Sequence, residues 1–155
     1  MPIALAANFL AASKPIGSAL ATEQKKHKML IKNNLIISSD KVSNDDITNA
    51  LEIACASEFI KELPLGLDTV IGERGLNLSE GQAQRISIAR SILQKAPVII
   101  LDEFTSALDS KTESQVINNL SALNGVTLIV ISHKPEVNKI CNKVIEINGG
   151  IVEIK

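Results

Sequence analysis

The sequence predicts an α/β domain, with a helical subdomain over residues 31–95 and a strand–helix–strand core over residues 96–155. Three observations predict it. Val98–Leu101 and Thr127–Ile131 are short apolar runs rich in β-branched residues, as in strands buried on both faces of a parallel sheet. The stretch between them has the length and apolar spacing of a crossover helix. Upstream, between Ile47 and Leu93, apolar residues recur at helical spacing between turn residues.

The elements follow in order. Residues 1–30 are an unassigned N-terminal segment, Ala-rich over residues 1–22. Ser38-Ser39-Asp40-Lys41 reads as a loop. Ser43 caps a helix with Asp46 in the reciprocal position, and Ile47, Ala50, Leu51, Ala54 and Cys55 follow on one face. A short helix runs from Ser57 to Leu63 and ends at Pro64 and Gly66. Ser79-x-x-Gln82 has the capping-box form and opens a helix whose apolar stripe is Ile86, Ala89, Ile92 and Leu93; Pro97 stops it. After the first strand, Ser110-x-x-Glu113 caps a helix that runs through Leu123, with Asn124-Gly125 as its stop. Asp109 is an equally good N-cap. Pro135–Cys141 reads as a short helix, and Val144–Asn148 with Ile151–Ile154 as a hairpin around Gly149-Gly150.

At 155 residues the chain is one domain, or a large part of a bigger one. A net charge of −1 with scattered Lys and Arg argues against a nucleic-acid partner, and Lys25-Lys26-His27-Lys28 reads as a solvated turn. Cys55 and Cys141 are far apart, match no metal spacing, and read as core thiols of a reducing compartment. No run reaches the ~18 apolar residues of a membrane span. Ile3–Ala12 is apolar but short and lacks a preceding basic flank, so a signal peptide is not expected. Any membrane part is expected on another chain or upstream.

Four short motifs carry the chemistry. Asp102-Glu103 ends the first strand, where open α/β sheets bind ligands. An Asp there can hold Mg²⁺, and a neighbouring Glu can orient or deprotonate a water; alone, two acids are equally a strand's polar exit. Ser79, Gly81 and Gln82 lie at a helix N-terminus, whose free N–H groups and dipole suit phosphate, and Gly81 permits close approach; alone, Ser79 and Gln82 merely cap. His133 follows the second strand and can bond a phosphate oxygen, or be an ordinary loop residue. Asp109 sits in Ser106-Ala107-Leu108-Asp109, after the first strand.

In their order and spacing, Leu78-Ser79-Glu80-Gly81-Gln82, Val98–Glu103, Ser106–Asp109 and Ser132-His133 resemble the C-terminal half of an ATP-binding-cassette (ABC) ATPase domain. The similarity runs from Ile31 to Glu153. Thr69–Gly75 resembles the cross-talk segment of exporter-type members, which meets the transmembrane domains, and Ile31–Leu35 the stretch that follows their glutamine loop. The resemblance implies a partial P-loop NTPase (RecA-like) core with a mostly parallel sheet, joined to an α-helical subdomain. It implies that Asp102 orients Mg²⁺, Glu103 is the general base and His133 the switch histidine. Ser79, Gly81 and Gln82 become the signature loop that meets ATP bound by the opposite subunit, and Asp109 the link between the two sites. The implied ligands are ATP and Mg²⁺. The implied partners are the transmembrane domains of an exporter and a second nucleotide-binding domain, at the cytoplasmic face of the membrane.

The sequence also departs from that family. It has no G-x-x-x-x-G-K-[ST] loop, and none of its glycines precedes a Lys. Gln24 lies too close to Ile31 for the glutamine loop. Phe104 stands where a small residue is more usual, with no expected chemical consequence. No Tyr or Trp is present, so Phe9 alone is left as a base-stacking ring. The chain by itself is therefore expected to be inactive. Two alternatives stand beside a partial exporter ATPase: a non-catalytic module that lends its signature loop to a complete partner, and a gene remnant. An ATPase of DNA repair or chromosome structure is disfavoured, because coiled coil and basic face are both absent.

Overall fold

The computed structural model describes residues 30–37, 42–72, 77–139, 141–148 and 151–154. The expectations for the N-terminal segment, Gln24, the basic Lys25–Lys28 turn, the loop at 38–41, Glu73-Arg74-Gly75 and the Gly149-Gly150 turn lie outside these residues.

The helical part comprises α1 (Ile31–Leu35), α2 (Asn44–Ile53), α3 (Ser57–Glu62), a 3₁₀ turn (Gly66–Asp68) and α4 (Glu80–Leu93). Local chemistry starts two of them. Ser43 and Asp46 form a complete capping box on α2, and Ser79 and Gln82 form one on α4, as the i, i+3 spacing predicts. α2 packs on α4, and Ile47, Ala50 and Leu51 of α2 and Ile86, Ala89 and Leu93 of α4 are all buried. Ile88 is buried as well, whereas Ile92 of the predicted stripe is only half-buried. The last carbonyls of α2 find side-chain donors: Asn119 Nδ2 donates to Ile53 O at 3.1 Å. Arg85 Nη1 donates to Cys55 O at 2.7 Å and lies 4.7 Å over the Phe59 ring.

The second part is β1 (Val98–Asp102), α5 (Ser110–Ser121), β2 (Thr127–Ile131), α6 (Pro135–Asn138), β3 (Ile145–Asn148) and β4 (Ile151–Ile154). β1 and β2 pair in parallel, with Asp102 opposite Ile131; β3 and β4 pair antiparallel. Among the described residues neither pair gains a third strand.

The expectation of strands buried on both faces is corrected. Ile99 and Leu101 point into the core, but Val98, Ile100, Ile129 and Ile131 on the other face are 42–48% exposed. Among the described residues only the Ile99 and Leu101 face of β1 is covered, so alternate side chains stay in water. The Ser110 capping box is also corrected. Asp109 is the N-cap of α5, its Oδ1 accepting from the Lys111 and Thr112 amides at 3.1 and 3.0 Å. Glu113 is buried and bonded elsewhere, so it cannot reach back to the cap. α5 ends at Ser121 and α6 at Asn138, short of the expected Leu123 and Cys141. Both cysteines are free and half-buried; burial raises the Cys55 thiol pKa, which disfavours its thiolate.

Candidate functional site

The site lies where β1 and β2 release their chains side by side. β1 delivers Asp102, exposed at its last position, and then Glu103. Glu103 has φ 45°, a left-handed backbone that a residue with a Cβ adopts at a cost of about 1–3 kcal/mol. Two hydrogen bonds hold it there: its N–H donates to Ile131 O at 2.9 Å, and its carbonyl accepts from the Ser106 amide at 3.1 Å. The turn aims the Glu103 carboxylate at the loop leaving β2. Its Oε1 is buried without a hydrogen-bond partner and lies 3.6 Å from His133 Nε2. That separation is too long for a direct hydrogen bond. The His133 side chain is 96% exposed, so nothing packs its ring in place.

The N-terminus of α4 forms the second part. Ser79 Oγ accepts from the Gln82 amide at 3.2 Å, and Gln82 Oε1 accepts from the Ser79 amide at 2.9 Å. Ser79 and Gln82 therefore do cap the helix. The Ser79 hydroxyl only accepts in this box, so its proton is available to a ligand. Gly81 lies against the loop after β1: a Cβ built on it would stand 2.6 Å from Ala107 O. Gln84, one turn further along, fastens the same loop. Its Nε2 donates to Ser106 Oγ at 2.7 Å, and its Oε1 accepts from the Ala107 amide at 3.2 Å. Asp109 closes that loop. Hydrogen bonds from Thr112, side chain and amide, and from the Lys111 amide hold its carboxyl below the usual range.

The structure thus brings Glu103 and His133 together, and brings Gly81 onto the loop that runs to Asp109. It forms no hydrogen bond between Ser79 or Gln82 and the Glu103–His133 pair; segment 104–109 connects the two groups. Gln84 was not anticipated from the sequence. Neither were Thr105, Glu113 and Lys134, which form a half-buried hydrogen-bonded knot next to the pair in sequence. Their one sequence signal is weak: Lys134 adjoins His133, and Glu113 holds the place of a capping acid.

The donor set bears on what the site can hold. Among the described residues no cluster of three or more His, Cys, Asp or Glu could enclose a metal ion. Asp102 and Glu103 alone fit Mg²⁺, which is ordinarily held by one or two carboxylates and otherwise by water and phosphate oxygens. The unpartnered Oε1 of Glu103 fits an acceptor for a water proton. A cradle for β- and γ-phosphates has no counterpart in the sequence.

Residues 10–106 match the family described as ABC transporter. The chain belongs to the ABC transporter family. Its fold is the α/β, P-loop NTPase type of that family. Among its relatives, it is 44% identical over 124 residues to an ATP-dependent lipid A-core flippase of Vibrio vulnificus (strain YJ016), covering 79% of this chain and 21% of that protein. It is 44% identical over 129 residues to the ATP-dependent permease MDL1 of Candida albicans, covering 79% of this chain and 19% of the permease. It superposes on a bacterial Atm1-family ABC exporter with ATP bound at a TM-score of 0.74 and 32% identity, covering 81% of this chain and 22% of that one. The chain therefore spans about a fifth of the length of these ABC transporter relatives. Among the described residues no helix is long and apolar enough to cross a membrane.

Proposed function

We propose that these residues form the C-terminal portion of the nucleotide-binding domain of an ABC exporter, which couples ATP binding and hydrolysis to export. Residues 31–95 act as its helical subdomain and 96–155 as half of its ATPase core. The observation that carries this reading is the Glu103 carboxylate: a buried, unpartnered oxygen on a strained turn, 3.6 Å from His133.

Glu103 takes the proton of the attacking water, and His133 contacts the γ-phosphate that the water attacks. Asp102 holds Mg²⁺, which when bound neutralises charge on the β- and γ-phosphates. Ser79 and Gly81, on the capped α4 N-terminus, offer a hydroxyl proton and close backbone approach to ATP held by a second nucleotide-binding domain; Gln82 keeps that terminus in shape. Asp109 relays between the two sites. The partners are that second domain and the transmembrane domains, at the cytoplasmic face of the membrane; what the names flippase, permease and exporter support is a part in membrane transport.

The missing G-x-x-x-x-G-K-[ST] sequence favours a second reading, in which the chain only lends its α4 N-terminus to a complete partner ATPase. One experiment separates the two. The chain is joined to a segment that carries the phosphate loop, and Mg-ATP turnover is measured. Glu103→Gln should lower turnover by roughly 10²–10⁴, the range for losing a general base, with ATP binding retained. Unchanged turnover would remove Glu103 from the chemistry and leave only the lending role.

A further inference from the structure

Lys134 follows His133 directly and has no task in the proposed chemistry. Its ammonium donates to Glu113 Oε2 and to the Thr105 carbonyl, each at 3.0 Å. Thr105 Oγ1 donates to Glu113 Oε1 at 2.8 Å, so both carboxylate oxygens are engaged. Thr105 and Glu113 are buried, and the Lys134 side chain is only 33% exposed.

The members of this knot come from three segments. Thr105 lies two residues after Glu103, Glu113 is in the first turn of the helix that Asp109 caps, and Lys134 is on the loop that carries His133. Among the described residues, Lys134 makes the only side-chain hydrogen bonds from that loop to segment 104–113. The exposed His133 ring has no packing of its own to locate it. A half-buried ion pair adds little to net stability, because desolvation offsets its Coulomb attraction; what such a pair supplies best is a unique arrangement.

Resting on the roles given to His133 and Glu103, we propose that Lys134 is a positioning residue: the Thr105–Glu113–Lys134 knot sets the separation of the His133 imidazole from the Glu103 carboxylate and ties it to the loop that runs to Asp109. A shift of segment 104–109 then reaches His133 through the Lys134 ammonium. An Arg at this position can still bridge a carboxylate and a carbonyl; a Met has the length but no charge.

Hydrogen–deuterium exchange of the full chain, at low concentration and without nucleotide, tests this. The amides of Glu103, Ser106, Ala107, Leu108, Lys134 and Val137 are all hydrogen-bonded and report on the two loops. Lys134→Met should raise their exchange by about tenfold and leave α2 and α4 unchanged, a local opening rather than a global one. Lys134→Arg should restore most of the protection. If Lys134→Met unfolds the chain, adding Glu113→Gln removes the stranded charge, and the loops of that double variant should still exchange about tenfold faster than those of the unaltered chain while its helices do not. Unchanged loops, or faster exchange throughout a folded chain, would overturn the inference.

A second arm uses the ATPase completed with a phosphate-loop segment. Lys134→Met should lower kcat by about tenfold with KM within about twofold, and should cost nothing more in a His133→Ala background. A full additional loss there would make Lys134 merely structural. If Glu103→Gln and His133→Ala leave turnover intact, the proposed chemistry fails, while the exchange result still decides what Lys134 holds.

Discussion

Gly81 and Ala107 meet backbone to backbone: a Cβ on Gly81 would stand 2.6 Å from the Ala107 carbonyl oxygen. Neither side can yield by a rotamer change, because one is the first turn of α4 and the other a loop tied to Gln84. The contact seats the α4 N-terminus on the segment between Glu103 and Asp109.

Gly81→Ala should therefore push α4 off that loop. The expected loss is about 1–3 kcal/mol, the range for overpacking. A thermal or urea midpoint measures it. An unchanged midpoint would mean that the helix and loop are not seated together in solution.

Asp46 gives a pH test. The hydrogen bond from Lys95, 2.9 Å away, and those from Ser43 lower its pKa from 3.8 to about 2. A folded pKa below the unfolded one adds stability that is present above the unfolded value and is lost as pH falls through the folded one. The window is thus from about pH 4 down to about pH 2. Asp46→Asn should flatten the stability profile within that window and change little of its slope above it. Urea midpoints at a series of pH values, for both proteins, would show it.

Among the described residues, the outer face of the β1–β2 pair offers Val98, Ile100, Ile129 and Ile131 to water, and the hairpin offers Ile145, Ile147, Val152 and Ile154. Apolar patches beside strand edges that the described residues leave unpaired drive association. Light scattering should find the chain self-associating as its concentration rises. Ile100→Lys with Ile129→Lys should shift it toward monomer, since both charges fall on the open face and spare the core. A monodisperse monomer at high concentration would contradict this.

The chain of 155 residues should not bind Mg-ATP tightly, since it has no G-x-x-x-x-G-K-[ST] sequence. Calorimetry should show no micromolar binding, which would correspond to about −8 kcal/mol. A micromolar constant would reveal a nucleotide site not built from this motif.

In a completed, dimeric ATPase, Ser79→Ala should slow hydrolysis only at the site held by the opposite subunit. Glu103→Gln should stop it at the site to which Glu103 belongs. Mixed dimers carrying one substitution on each side would separate the two; identical effects at both sites would deny Ser79 its role across the interface.

Much of the fold was legible because it is local. Ser43 with Asp46 and Ser79 with Gln82 each satisfy amides within a single helical turn, so their spacing alone determined where α2 and α4 begin. The β-branched runs determined β1 and β2, and the order of the short motifs nominated the candidate site residues, of which the fold brings Glu103 near His133 and Gly81 onto Ala107.

What the tertiary structure decided is non-local. Ser110 and Asp109 were both good caps, and the sequence could not choose. Asp109 caps because Glu113 is drawn inward by Thr105 and Lys134, the latter 21 residues away in sequence. An apolar strand reads the same whether one face or two are covered, so which side of β1 and β2 stays open appeared only with the packing. The nearness of Glu103 to His133, and of Gly81 to Ala107, arises the same way. Each joins groups from separate segments, brought together by parallel strand pairing or by a helix seated on a loop, and sequence spacing carries no record of either contact.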